Sequence, residues 1–386
     1  MFLVPTQLGM HFWPEYTRVL SIKIDYLSPI VYLNHLLIIS ILVLNYKKII
    51  HYSANYKKSI FLLLVYATIN TYYSVNALVS AYRWLEVFIL TLFYIYLQSI
   101  KQRYKKQNLS WLLKGTLLAA CIQFMQFIKQ ESINGLAYWL GERKFDFYTN
   151  SIPHQTIGMQ NYIRVPSTFS HANSLGGFML LIFGYLKLSK KEKKLKLIIF
   201  ASLILTMSKN AIFSLVILLV KKNMIKSTII AIILITLALT IMPPKNNYPY
   251  YINSRLNGYQ KSTQVISKHF MTGVGLGAYQ NSLSDTLLPS AISTESLQPV
   301  HNLYLLIFSE NGLLGILVLT YLASKIKINK SQKTLISILL ITSLFDHYWL
   351  TSIQNRLLLV VLFSQLSLKY KHDKLPDTTN QYRWWI

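Results

Sequence analysis

The sequence predicts an all-α membrane protein: a polytopic transmembrane helical bundle of about 12 helices, with two long outer-face loops containing short helices. Three observations predict it. Of 386 residues, 53% are apolar and only 13% charged, against about 25% charged in ordinary soluble domains. The apolar residues run continuously instead of alternating, which favours helices over a membrane barrel, because a helix satisfies its own backbone groups in lipid. The basic residues behind the net charge of +26 fall in short clusters between apolar runs. That placement accounts for the charge by anchoring at a cytoplasmic face and argues against a nucleic-acid partner.

A helical span needs about 20 apolar residues. Segments are expected at 3–20, 28–45, 59–74, 77–98, 109–129, 173–188, 195–207, 210–220, 226–242, 302–322, 334–346 and 355–369. The basic clusters test this map independently. Lys47, Lys48, Lys57 and Lys58 follow the second segment, and Lys101, Arg103, Lys105 and Lys106 the fourth. Further clusters follow the sixth, eighth, tenth and twelfth, at 187–196, 221–226, 325–333 and 369–374. All lie on alternate connections, which makes that side cytoplasmic and places both termini there. The opening MFLVPTQLGMHFWP lacks a basic region ahead of its apolar stretch and does not read as a secretory signal. Cys121 is expected as a small buried hydrophobe, and one cysteine excludes an internal disulfide.

The chain thus reads as one integral membrane domain over 1–386, with an outer loop at 130–172 and a large outer catalytic loop at 243–301. In RVPSTFSHANSLGG, Arg164, His171 and Asn173 stand directly before an apolar run. They form either a polar cap over a membrane helix or an anion-binding corner, in which a guanidinium fork joins the unpaired N–H groups of a helix start. Gly176 and Gly177 allow close helix approach. Lys209 falls at an outer turn, where it is either a snorkelling lysine or a phosphate contact. Arg83 and Glu86, three residues apart, fit an ion pair within the bundle.

In the large loop an amphipathic stretch around 255–268 begins with Arg255, a second outer-face phosphate candidate. GVGLG at 273–277 lacks the strand context of a dinucleotide site, and its glycines suit a tight backbone turn toward the membrane surface. In QPVHNLYLLIFSENG, His301 and Asn302 stand at a helix start. His301 is either a cap or a base, since a helix N-terminus biases imidazole toward its neutral, proton-accepting form. Glu310, about 14 Å along a regular helix at about 1.5 Å per residue, is too deep to pair with it directly. Asp346, in SLFDHYWLTSIQNR, fits orientation of a histidine or binding of an acceptor hydroxyl. The outer histidines 154, 171, 301 and 347 have no recognisable metal spacing, so no metal and no cofactor is assigned.

These motifs, together with SKN at 208–210 and the opening PTQLGMHFWP, resemble the O-antigen ligase and O-antigen polymerase superfamily of bacterial envelope proteins. The resemblance implies a glycosyltransferase in the bacterial cytoplasmic (inner) membrane with its site on the outer face. It would transfer a glycan, with inversion, from a polyprenyl-pyrophosphate-linked donor to an acceptor hydroxyl on a glycan or lipid-linked molecule. It implies that outer arginines, here Arg164 and Arg255, hold the pyrophosphate, and that the histidine of the HN motif, His301, assists the acceptor. The chain departs from the family pattern at Lys209, where many relatives carry arginine, and at Ser167 and Ala172, where glycine and proline are common. Ligation to a second acceptor is the first expectation; polymerisation of lipid-linked repeat units is the alternative, and a lipid-linked glycan transporter a more distant one.

Overall fold

The computed structural model describes residues 1–149, 152–188, 192–220, 250–284, 293–294, 296–325 and 330–366. Helix dominates, as the continuous apolar runs require. The helices are α1 (Leu33–Leu44), α2 (Tyr46–Ser53), α3 (Lys57–Tyr72), α4 (Ala77–Ser99), α5 (Gln102–Lys129), α6 (Ala172–Leu188), α7 (Lys193–Leu205) and α8 (Lys209–Val220). After the large loop's α9 (Tyr250–Lys268) and α10 (Tyr279–Leu283) come α11 (Leu303–Ser324), α12 (Lys330–Thr342), α13 (Tyr348–Thr351) and α14 (Ile353–Leu366). Among the described residues, three short two-stranded antiparallel ribbons decorate this frame. One pairs β1 (Gly9–His11) with β4 (Ile30–Tyr32), another β2 (Arg18–Val19) with β3 (Ile22–Lys23), and the last β5 (His154–Ile157) with β6 (Gln160–Ile163).

By length and composition α4, α5 and α11 are able to cross a membrane, and α1 joins α2–α3 as a fourth candidate bent by 81°. The remaining apolar helices are 17 residues or shorter, so the structure gives three to four candidate spans among the described residues where twelve were expected. The segment at 226–242 and the clusters at 221–226 and 369–374 lie outside the described residues.

The expected helix at 3–20 does not form. Pro5, Gly9 and Pro14 interrupt that run, and its backbone groups find other partners. Gly9–His11 pairs with Ile30–Tyr32, and Asn34 Nδ2 donates to the Leu3 and Thr6 carbonyls at 3.1 Å each. Cys121 is exposed, on a face of α5 shared with exposed Phe124, Met125 and Ile128. In a membrane helix such a face suits lipid, which replaces the buried position expected from apolarity alone.

The core explains the order of the bundle. In α6, Leu175 and Phe178 to Ile182 are all fully buried, as expected of a helix apolar around its whole circumference. Around it pack residues of α4, α5, α7, α12 and α14. The two glycines predicted to permit close approach do so. A Cβ on Gly176 would sit 2.9 Å from Ser208 Cβ, and one on Gly177 would sit 2.3 Å from the Tyr348 ring.

Helix α11 is broken. Gly312 takes φ +60° and ψ −170°, and a Cβ there would collide with backbone of Met271 and Gly273. The GVGLG loop fills the break, with Val274 N donating to Ser309 O at 2.9 Å, Gly275 N to Glu310 O at 3.0 Å and Leu313 N to Phe270 O at 2.8 Å. Gly273, Gly275 and Gly277 have φ of +71°, +97° and +76°, which only glycine adopts cheaply. Asn70 of α3 holds the junction. Its Nδ2 donates to Thr272 O and Glu310 O at 3.0 Å each, and its Oδ1 accepts from Leu276 N and Trp84 Nε1 at 2.9 Å each. Irregular backbone inside a bundle persists only where protein partners satisfy it in this way.

The expected Arg83–Glu86 pair is present at 2.9 Å, and Arg356 joins it, its Nη1 lying 3.1 Å from Glu86 Oε2.

Candidate active site

The candidate site assembles at the starts of α6, α9 and α11 and the turn before α13, from chain segments spread between residues 164 and 351. Its first wall is the turn before α6. Gln126 of α5 clamps that turn on both sides: its Oε1 accepts from Ser167 N at 2.8 Å, and its Nε2 donates to Ser167 O at 3.1 Å. Ser167 itself stands at φ +57°. The backbone shape that suits glycine is therefore kept here with a serine, held by a further hydrogen bond from its Oγ to Ala119 O at 2.6 Å.

From that turn, Arg164 is aimed by two hydrogen bonds. Its Nε donates to Thr206 O at 3.3 Å and its Nη2 to Asn173 Oδ1 at 2.5 Å, leaving Nη1 outside both bonds. Asn173 passes the connection on, its Nδ2 donating to Asp346 Oδ2 at 2.9 Å. His171 turns its Nδ1 back onto Asn173 N at 3.0 Å, which fixes the acceptor nitrogen and caps the helix start.

The second wall is the α11 N-terminus. Asn302, fully buried, is the N-cap, its Oδ1 accepting from Tyr304 N at 3.0 Å and Leu305 N at 3.1 Å. Its oxygen is thereby committed to backbone, so Asn302 serves the site by fixing the residue before it. That residue, His301, has a side chain 39% exposed, with Nδ1 3.6 Å from Asp346 Oδ1. Leu303 N donates to Ser343 O at 2.8 Å, which brings the connection after α12, and Asp346 with it, against the α11 start.

The third wall is that connection. Arg255 of α9 donates from Nη1 to Phe345 O at 2.7 Å. Asp346 is buried, and its Oδ1 also accepts from His347 N at 2.9 Å. The His347 ring lies 5.3 Å from that of His301 between centroids, and its Nδ1 is 2.9 Å from Thr351 Oγ1. Lys209 is exposed at the first position of α8, three residues beyond the Thr206 carbonyl that holds Arg164.

Burial and charge work against each other here. Burial pushes the Asp346 carboxyl up, but the imidazole of His301 at 3.6 Å, and after it the rings of His347 and His171, outweigh it and hold the group well below the usual carboxylate range. Burial lowers His347 to about 3 and His171 to about 4, with Asp346 opposing the shift in both. Both rings are therefore neutral near pH 7. Burial lowers Arg164 too, Asp346 opposing and Arg255 adding to the shift; the two guanidiniums feel each other's charge, as an anion site requires.

Sequence reasoning singled out Arg164, His171, Asn173, Lys209, Arg255, His301, Asn302 and Asp346. Arg164, His171, Asn173, Arg255, His301, Asn302 and Asp346 lie in or directly support one cluster, and Lys209 stands at its edge. Two contributors were missed. His347 was noted only as an outer histidine, although its adjacency to Asp346 was visible in FDHYW. Arg143, whose Nη1 donates to Ser170 O at 3.0 Å, was passed over, although the Arg143–Lys144 pair sits in a loop expected on the outer face, where inside-positive placement gives it no role. His301, Asp346 and His347 also bring three potential ligand atoms within 4.8 Å of one another, so a divalent cation could be held there. Both Asp346 oxygens already accept hydrogen bonds, and two neighbouring cations repel an ion.

The chain matches no protein-family model and no curated protein. Its function therefore has to be argued from the site.

Proposed function

We propose that the protein transfers a glycan from a polyprenyl-pyrophosphate-linked donor to an acceptor hydroxyl, with inversion, at the membrane face where this cluster lies. One observation carries the reading: two guanidiniums and a half-exposed imidazole backed by a buried carboxylate converge from three distant parts of the chain. Departure of a pyrophosphate concentrates negative charge on the leaving group, and fixed cations aimed beforehand lower that cost. Arg164 and Arg255 are aimed by backbone carbonyls and by Asn173, so little reorganisation is left for the reaction itself.

The acceptor hydroxyl must lose its proton as it attacks. His301 takes that proton, and Asp346 stabilises the resulting imidazolium across 3.6 Å. In the balanced step, the acceptor oxygen bonds to the anomeric carbon, the carbon–oxygen bond to the pyrophosphate breaks, and the bonding pair leaves with the lipid pyrophosphate. Asn173 ties the two halves together by bonding Arg164 through one atom and Asp346 through another. Membrane residence is supported by the apolar helices α4, α5 and α11.

The test is turnover by the purified protein in lipid nanodiscs given a polyprenyl-pyrophosphate-linked oligosaccharide, with and without a second acceptor. General-base catalysis contributes about 10²–10⁴-fold, so His301→Ala should lose that much. Turnover unchanged in His301→Ala removes the base role. A ladder of products from donor alone assigns polymerisation, and strict dependence on a second acceptor assigns ligation.

A further inference from the structure

Beyond the end of α5 at Lys129 the chain folds back along the helix it has just completed. Gln130, at φ +56°, reverses it, and Gly135–Leu140 form a 3₁₀ turn. Leu140 shares a small crevice with Leu118, Ala119 and Ile122 of α5. Leu118 and Ile122 precede Lys129 by about 10–16 Å along the helix axis, at about 1.5 Å per residue. The turn therefore lies beside the last apolar turns of α5, below the 2.8 Å Lys129–Glu131 ion pair that closes them.

Its side chains divide between two environments. Ala137 is buried and Leu140 meets α5, whereas Leu136, Tyr138 and Trp139 are 85%, 54% and 65% exposed. At the same depth α5 itself exposes Cys121, Phe124, Met125 and Ile128, a spacing that marks one helix face. That helix is long and apolar enough to cross a membrane. Tyrosine and tryptophan, each with an apolar body and a polar tip, are the side chains that collect at a membrane interface.

Non-helical backbone at such a depth persists only where its polar groups are satisfied. Buried Glu142 accepts from Ile133 N and Asn134 N at 2.7 Å each. Ala137 N donates to Asn134 O at 3.2 Å, Gly141 N to Tyr138 O at 2.9 Å and Glu142 N to Ala137 O at 3.1 Å, while Gly141 O accepts from Gln7 Nε2 at 3.3 Å. The turn closes its backbone inward and leaves its apolar side chains outside.

We infer that residues 135–140 lie in the headgroup–acyl boundary of the leaflet nearer the candidate site, with Leu136, Tyr138 and Trp139 in contact with lipid. A loop expected to stand in water is instead a membrane contact. Lipid is the occupant because the patch is level with the exposed apolar face of a candidate span and carries the side chains that suit its boundary. Glu142 also accepts from Gln126 Nε2 at 2.8 Å, and Gln126 clamps the turn before α6, so this contact sets the height of Arg164 over the leaflet. The inference rests on membrane residence and not on glycan transfer.

Cys121, the single cysteine, is an internal depth marker. A nitroxide is placed on it in the wild-type chain, and on Leu136→Cys in a chain carrying Cys121→Ser, both in phosphatidylcholine–phosphatidylglycerol nanodiscs. Power saturation then compares collisions with oxygen, which enters the acyl region, and with a nickel chelate, which stays in water. Both labels should favour oxygen, and the label at 136 should lie about 5–10 Å below the phosphates, the depth of interfacial elements. A label open to the nickel chelate at either position overturns the inference. So does a label at 136 shielded from both reagents, because protein, such as a second copy of the chain, then covers the patch.

Thermal unfolding checks that Leu136→Cys folds. A second measurement leaves Leu136 in place: with lipids brominated on their acyl chains, the share of emission lost in Trp139→Phe should be quenched, and if it is not the inference fails. Absence of glycan transfer in the turnover assay would leave both measurements untouched, and a label in water would leave the transfer reading untouched.

Discussion

Asp346→Asn is the sharpest probe of the proposed chemistry, because it removes one charge while keeping the side chain's shape. Across the 3.6 Å separating Asp346 Oδ1 from His301 Nδ1, a full charge pair is worth about 4.6 kcal/mol at an effective dielectric of about 20. The His301 side chain is 39% exposed, and screening on its open side reduces this to about 2–3 kcal/mol. That energy stabilises the imidazolium formed as the acceptor loses its proton, so its loss should slow bond formation about 30–150-fold. The assay is single-turnover formation of the glycosidic bond in nanodiscs at saturating donor, followed by mass spectrometry. Because Asp346 acts through His301, the double variant with His301→Ala should be no slower than His301→Ala alone. A rate within about threefold of wild type for Asp346→Asn, or full additivity in the double variant, refutes the coupling on which the mechanism depends.

Arg164→Gln and Arg255→Gln should each raise the donor KM about tenfold or more, whereas Arg164→Lys should restore charge without restoring the planar fork and recover only part of the loss; unchanged donor affinity in both neutral variants would remove the clamp. Asn70→Leu leaves at least the Leu276 and Trp84 N–H donors without partners in the interior. The cost should be about 2–6 kcal/mol, read as a lower unfolding midpoint, and an unaltered midpoint would mean that the α11 break is held some other way. Neutral His347 and His171, at about 3 and 4 when folded, regain an ordinary value near 6.5 on unfolding, so the unfolded chain binds more protons between about pH 4 and 6.5. Stability should therefore fall as pH drops through that window, by about 2 kcal/mol for each imidazole at pH 5, and His347→Gln should flatten the slope; a slope unchanged in His347→Gln counts against its burial. Turnover should survive dialysis against a chelator, and a loss restored by zinc would convert His301, Asp346 and His347 from a base and its supports into ligands.

Much of this site was legible because membrane proteins restrict where polar residues go. Arg164, Arg255 and His301 stood out as polar groups beside apolar runs on connections lacking lysine clusters, and physical cost alone makes such positions informative. What one chain could not display was pairing at long range. That Asn173 would join Arg164 to Asp346, or that Asn70 would grip a loop two hundred residues away, depends on which helix ends meet. Hydropathy also misread the first twenty residues, because Pro5, Gly9 and Pro14 outweigh apolarity once a hairpin with Ile30–Tyr32 offers the backbone another set of partners. The break at Gly312 was invisible for a related reason. An isolated glycine in an apolar helix is usually a packing contact, and only the three left-handed glycines of the loop that fills it reveal the junction.

The plugged break in α11 has a mechanical meaning. Because the 270–275 backbone is stitched into it and Ser262 of α9 meets Ser309 of α11 at 2.8 Å, the segments bearing Arg255 and His301 form one solid piece, whereas Arg164 rides on the turn clamped by α5. A pyrophosphate gripped by both guanidiniums, as proposed, would bridge that joint and act as the rivet that aligns the two halves.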